Sequence, residues 1–442
     1  MIEILQVISH FFLFVFITFF PINTYTAPKI AKIFNYSYFN IIFVNSSILM
    51  LVLLILSFFR LNLNYIFFII FFLYIGIFLY IFSDIFSDIL KKFSLKNSYL
   101  KILFFIICIS LFLNTANNLE IGWDGLSIWL FKANNFYNGN NFSDLILNEV
   151  PYIQYPHLGA YLWAFFWKNS FLQIEYLGRL FHLYIYITSI FILAETLKDS
   201  SRFKKLFFIF FIIIFSYDYD NTMGGYQEFL IFAMLIFSAK ILELILNENN
   251  YQNFNVLSVF LLINTLLLSW IKNEALFYGI FIILIYLIIN RFNKKALGFF
   301  IVGLLMITFQ IIIKKYFFDL EKAFLFSLSP ESLVKNINFT ELFNRIYYTS
   351  IYMVHAILKY PINIINILSL IIFLKYFRKI KEYKHYLIFF LLNIMFLYGV
   401  YLVTDAPLIW HLKTSIERLI LQTSGFYIFI LLHLINKKII KF

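Results

Sequence analysis

Ile41-Ile-Phe-Val-Asn-Ser-Ser-Ile-Leu-Met-Leu-Val-Leu-Leu-Ile-Leu-Ser-Phe-Phe59 decides the fold. It carries no charge, and it is close to the roughly 20 residues that a helix needs to cross a bilayer. Its apolar residues are continuous and do not alternate, so the stretch reads as a helix and not as a barrel strand. Phe11 to Phe20, Tyr65 to Phe82 and Leu206 to Phe215 repeat the pattern. The whole chain agrees: 62% of it is hydrophobic, 22% aromatic and only 13% charged. Soluble domains average about 25% charged residues, which excludes an ordinary soluble enzyme.

Working outward from that run gives about thirteen spans of bilayer length. They cover 4–20, 40–59, 64–82, 100–116, 173–196, 205–217, 227–246, 254–271, 275–290, 297–313, 361–377, 386–404 and 415–436. The expected architecture is all-α, a polytopic helical membrane protein forming a single integral membrane domain over 1–442. The first run lacks a basic start and a small-residue cleavage site, so it reads as a span and not as a cleaved leader. Cys108 is the lone cysteine, inside an apolar run, which excludes an intramolecular disulfide and suits a small buried side chain.

The net charge of +12 does not point to nucleic acid, because the basic residues concentrate in one set of loops. That set holds Lys29 and Lys32; Lys91, Lys92 and Lys96; Lys198, Arg202, Lys204 and Lys205. It continues with Arg291, Lys294 and Lys295; Lys375, Arg378, Lys379, Lys381 and Lys384; and Lys437, Lys438 and Lys441. Alternating the spans puts all of these on one face, which the positive-inside rule makes cytoplasmic. The amino terminus is then expected outside and the carboxy terminus inside.

The opposite face receives the polar clusters, on outer segments 117–172 and 314–360 and on three shorter connections. Gly122-Trp-Asp124-Gly-Leu-Ser-Ile-Trp129 opens the first outer segment. Asp124 there is either a solvated loop acid or a general base that takes a proton from an attacking hydroxyl. Tyr155-Pro156-His157 is a proline turn flanked by a hydroxyl and an imidazole. Tyr161-Leu-Trp-Ala-Phe-Phe-Trp167 is too short to span and reads as an interfacial helix at headgroup depth. Arg179 and His182 lie one helical turn apart near the outer end of a span, where a charge is either functional or snorkelling.

Asp218, Asp220, Tyr226, Gln227 and Glu228 surround a Gly224-Gly225 turn. Glu228 begins a span, where a carboxylate needs a partner: a metal, a cation or a substrate hydroxyl. Lys272-Asn273-Glu274 is a tight hairpin turn that also offers a cation and an acid to an anionic ligand. After Asp405, His411, Ser415 and Arg418 recur at intervals of four and three and share one helix face. An Arg fork near a helix start suits phosphate oxygens. Lys359-Tyr360-Pro361 separates an amphipathic stretch from the span that follows it.

Taken in order, these motifs resemble the GT-C superfamily of membrane glycosyltransferases. They look most like an uncharacterised bacterial branch akin to the polyprenyl-phosphate-sugar-dependent mannosyl and aminoarabinose transferases. The resemblance runs over roughly 117–420 and rests on motif order. It implies an inverting transferase in the bacterial inner (cytoplasmic) membrane, with its active site on the periplasmic face. Asp124 matches the base that activates the acceptor, and Lys272, His411 and Arg418 match donor-phosphate cations. The rest of the expected substrate-binding set is Tyr155, His157, Arg179, Glu228 and Glu274.

The implied partners are a polyprenyl-phosphate-linked sugar donor, a lipid or glycan acceptor and membrane lipids, with no nucleic acid. No cofactor is certain; a divalent cation is possible, since metal dependence varies in the family. The chain departs from the family where Gly125 follows Asp124 in place of a second acid, and where four spans precede this loop. A polysaccharide ligase or polymerase using lipid-linked sugars, or a secondary transporter, is the alternative. A transporter predicts ionisable residues at span midpoints and two related halves.

Overall fold

The computed structural model describes residues 2–19, 30, 32–34, 37–81, 98–197, 200–216, 224–248, 250–317, 339–359, 361–376, 384–404 and 406–436. All regular elements among them are helices. In chain order these are α1 (Ile2–Phe19), α2 (Tyr38–Leu56), α3 (Leu63–Ile81) and α4 (Ser98–Asn117). A π-turn (Gly125–Leu130) then leads into α5 (Phe131–Tyr137), α6 (Asp144–Leu147), α7 (Leu158–Lys168) and α8 (Glu175–Thr196). α9 (Arg202–Ser216), α10 (Glu228–Asn247), α11 (Tyr251–Ile271), α12 (Asn273–Ile289) and α13 (Lys294–Ile312) follow. The chain finishes with α14 (Phe339–Lys359), α15 (Pro361–Lys375), α16 (Lys384–Val403) and α17 (Leu408–Asn436).

Each of the thirteen expected spans coincides with a helix, with ends displaced by a few residues. Among the described residues eight helices are long and apolar enough to cross a membrane, or nine if the bent pair α14–α15 is one span. The shorter apolar helices are Ile2–Thr18, Leu63–Gly76 and Asn273–Ile289. The molecule is a multi-pass helical membrane protein.

Helix α8 is the axis. The span window in it is entirely buried, and it packs on α2, α4, α7 and α10. α10 lies along α17, while α11 and α12 form a hairpin that continues the layer. This packing places the first turn of α10, the α11–α12 turn and the early turns of α17 together.

One expectation is corrected here. The segment 161–167 forms a helix, but α7 does not lie at an interface. Tyr161 and Trp163 through Phe166 are buried in the protein, and α7 packs against α8, α5 and α2. A short helix that is apolar all round finds its best solvent inside the core. α14 is the surface amphipathic helix instead, with Phe339, Phe343, Tyr347, Val354 and Leu358 exposed. It meets α15 at a bend of 109° beside Pro361, the residue that disrupts helical hydrogen bonding. Arg345 on α14 donates to the carbonyls of Tyr401 and Thr404 at 3.1 Å, capping the end of α16.

Candidate functional site

The turn at Gly224-Gly225 fixes where Asp124 sits. The Gly122 N–H donates to the Gly224 carbonyl at 3.0 Å. A Cβ on Gly125 would lie 2.0 Å from that same carbonyl, so only glycine lets the two backbones meet. Gly225 has φ +83, a left-handed conformation suited to glycine. Trp163 and Arg179 pack beneath this turn. The backbone N–H of Asp124 then donates to the Tyr226 hydroxyl at 3.3 Å.

Asp124 is buried, and Arg418 Nη1 donates to its Oδ2. The same guanidinium nitrogen stands 3.4 Å from Glu228 Oε1, and its carbon lies 5.3 Å from the Tyr226 ring centroid. Lys272 Nζ donates to Glu228 Oε1 at 2.8 Å and lies 3.0 Å from Glu274 Oε1. Gln422 Nε2 donates to Glu274 Oε1 at 3.2 Å. The result is a chain of alternating charge: Asp124, Arg418, Glu228, Lys272, Glu274. Each position has a local reason. Glu228 is the first residue of α10, where the helix dipole favours a carboxylate. Lys272 is the extended break between α11 and α12. Arg418 and Gln422 are one helical turn apart on α17.

Three carboxylates face two cations, so the cluster is one negative charge in excess. Burial alone would pull the Lys272 ammonium down, but Glu228 and Glu274 beside it hold it above the usual lysine value. The acceptors outnumber the donors as well. Glu228 Oε2 and Gln422 Oε1 are buried without a hydrogen-bond partner. Asp124 Oδ1 takes no hydrogen bond from the described residues.

The other expected site residues divide. Tyr155 borders the cluster: burial raises its hydroxyl above the ordinary phenol value, and Glu274 adds to that rise. His411 shares the α17 face with Arg418, and its Nδ1 is bonded to the Thr404 hydroxyl at 2.8 Å. His157 stands apart, packed against Phe58, Phe142 and Trp270, with its Nε2 bonded to the Ser57 hydroxyl at 2.7 Å. Burial, then Lys132 and Lys314, holds that imidazole well below its usual value. Arg179 is a buttress. It pairs with Glu175 at 2.9 Å and donates to the Glu120 carbonyl at 3.1 Å.

No known protein family, curated protein or solved structure matches the chain. Among the described residues no group of three His, Cys, Asp or Glu side chains is placed to hold a metal ion; cations separate the carboxylates instead. Asp218, Asp220 and Asp405 lie outside the described residues, as do residues 318–338 and 360 of the 314–360 segment. Gln422 was not among the expected residues, although its spacing of four from Arg418 places it on the same helix face. Lys132 and Lys314 were also missed, because each sits in an apolar or amide-rich stretch with no motif around it.

Proposed function

We propose that the Asp124–Glu228–Glu274 cluster is the acceptor-activating site of a membrane glycosyltransferase. Its substrate would be a sugar carried on a polyprenyl phosphate, and the transfer would proceed with inversion. One observation carries this reading: a buried cluster at the ends of membrane helices presents unpaired carboxylate and amide oxygens. Sugars and hydroxyl acceptors are rich in O–H donors, and unpaired buried acceptors, already stripped of water, gain the partner they lack on binding them.

The chemistry is simple in outline. The acceptor hydroxyl oxygen attacks the anomeric carbon, and the anomeric carbon–oxygen bond to phosphate breaks. The polyprenyl phosphate leaves with the electron pair, and the acceptor proton passes to Asp124. A phosphate leaving group needs no protonation at neutral pH. Arg418 holds one oxygen of Asp124 and so orients the other. Glu228, fixed by Lys272, is placed to bind sugar hydroxyls.

The proposed setting is a bacterial cytoplasmic membrane, with this cluster on the outer face and thirteen spans. Asp124→Asn is expected to abolish transfer from a polyprenyl-phosphate sugar while the protein still purifies as a folded species. Full transfer activity in that variant would overturn the reading. A secondary transporter is the second reading, favoured by the placement of Glu228 and Arg418 on membrane helices. Uptake by protein-loaded vesicles with no covalent product would identify it.

A further inference from the structure

The turn at 148–157 covers two buried lysines. Lys132 on α5 is 0% exposed, and Lys314, just past α13, is 1% exposed. Lys132 Nζ donates to the Tyr155 carbonyl at 2.7 Å, and Lys314 Nζ donates to the Gln154 carbonyl at 2.6 Å. Two ammonium groups thus grip consecutive carbonyls of one turn. Each has three N–H donors and makes one hydrogen bond to a described residue. Neither forms an ion pair with a described carboxylate, and the charged group facing Lys132 is Lys314 itself. Trp129 Nε1, also buried, lacks a partner. Lys132 stands over the rings of Trp129 and Tyr155, 5.5 Å and 5.8 Å from their centroids.

This region is the chemical opposite of the Asp124 cluster, with donors in surplus and acceptors scarce. The two meet at Tyr155, whose backbone binds Lys132 and whose hydroxyl lies within the field of Glu274, Lys272, Asp124 and Arg418. A donor-rich end joined to an acceptor-rich end matches a phosphate joined to a sugar. The turn is also held against its preference. Glu149 and Tyr152 have φ of 49 and 55, in the left-handed region that costs non-glycine residues energy.

We propose that Lys132 and Lys314 form the binding site for a phosphate ester group, its oxygens replacing the carbonyls of Gln154 and Tyr155 as partners of the two ammonium groups. Its role as the donor subsite rests on the sugar-transfer reading; the binding of phosphate does not. The cations of the Asp124 cluster are already paired with acids, whereas Lys132 and Lys314 bond only backbone carbonyls among the described residues.

The test uses the full chain in nanodiscs. Binding of decaprenyl phosphate, decaprenol and inorganic phosphate is measured for the unmodified protein, for Lys132→Met, Lys314→Met and the double variant, and for the exposed control Lys315→Met. Each buried lysine is expected to contribute about tenfold in affinity for decaprenyl phosphate, the usual size of a charge-assisted hydrogen bond. Lys315→Met should leave it unchanged. Inorganic phosphate competing as well as decaprenyl phosphate would assign a soluble ligand; competition by the lipid alone would assign a headgroup. Either result supports the site. Equal binding of decaprenol, or unchanged binding in the double variant, overturns it.

Should the methionine variants fail to fold, a photoreactive decaprenyl phosphate can be crosslinked to the unmodified protein. Crosslinks on 129–132, 150–157 or 313–315 support the proposal, and crosslinks confined to other segments overturn it. Phosphate binding without any sugar transfer would leave this inference standing and remove the transferase.

Discussion

Glu228 and Lys272 show why single residues matter here. Both side chains are almost wholly buried, at 1% and 6% exposure. Removing one partner strands the other charge, which typically costs about 3–5 kcal/mol, while replacing both with apolar residues of similar size is often near neutral. Glu228→Leu is therefore expected to unfold at markedly lower temperature in detergent, and Glu228→Leu with Lys272→Leu to recover most of that loss without recovering function. Additive losses in the two single variants and the double would show that the pair is not coupled. Lys132 makes the contrary case. Burial and its neighbour Lys314 hold its ammonium well below the usual lysine value. A lowered folded value means stability is greatest at high pH and is lost as pH falls, because the unfolded chain takes up the proton more readily. Lys132→Met should thus be more thermostable than the native chain at neutral pH, with the difference shrinking as pH rises. A residue kept at the expense of stability fits a binding role.

Among the elements, the turn joining Gly122–Gly125 to Gly224–Gly225 sets the geometry. Gly125→Ala drives a methyl group against the Gly224 carbonyl. Neither backbone can yield cheaply, so Asp124 should swing away from Arg418. The expected outcome is a loss of transfer of at least about tenfold, the scale of small misplacements of catalytic groups. Gly298→Ala is the matched control, because nothing lies within 4 Å of its added Cβ. Equal activity in the two variants would show that the turn does not position the acid. The clasp between Arg60 and Asp144 behaves differently. Arg60 donates to both Asp144 oxygens and lowers that carboxyl below its usual value. The folded value lies below the unfolded one, so this contribution is present above the ordinary carboxylate range and is lost as pH falls. Protection factors for hydrogen exchange of 141–148, corrected for intrinsic rates, should therefore fall in acid, and Asp144→Asn should remove that pH dependence.

On the scale of the whole molecule, the pattern of basic residues predicts sidedness. Lysines and arginines of the 291–295 turn and of α9's first turn belong to one set of loops, and Asp124 belongs to the other. The positive-inside rule then predicts that Asp124 lies outside. Cys108 is buried, so an added cysteine reports cleanly. A cysteine at Asn140 should react with a membrane-impermeant maleimide on intact cells, and one at Lys295 only after permeabilisation. The reverse pattern would turn the molecule over and place the site in the cytoplasm.

Hydropathy and residue spacing by themselves determined the helices: every expected span is a helix, since crossing length and apolar continuity are properties of neighbouring residues. The chain also singled out Asp124, Glu228, Lys272 and Arg418 as candidate site residues. Only the tertiary structure decided who partners whom. Asp124 and Arg418 lie 294 positions apart, and no local pattern says that α10 packs along α17. It also moved α7 from the expected interface into the core, because burial depends on what surrounds a helix. It separated His157 and Arg179 from the charged cluster, and it revealed Lys132 and Lys314 as a pair. An ion's partners follow from which helices pack, and packing is settled by the shapes of whole surfaces, which a one-dimensional string does not display.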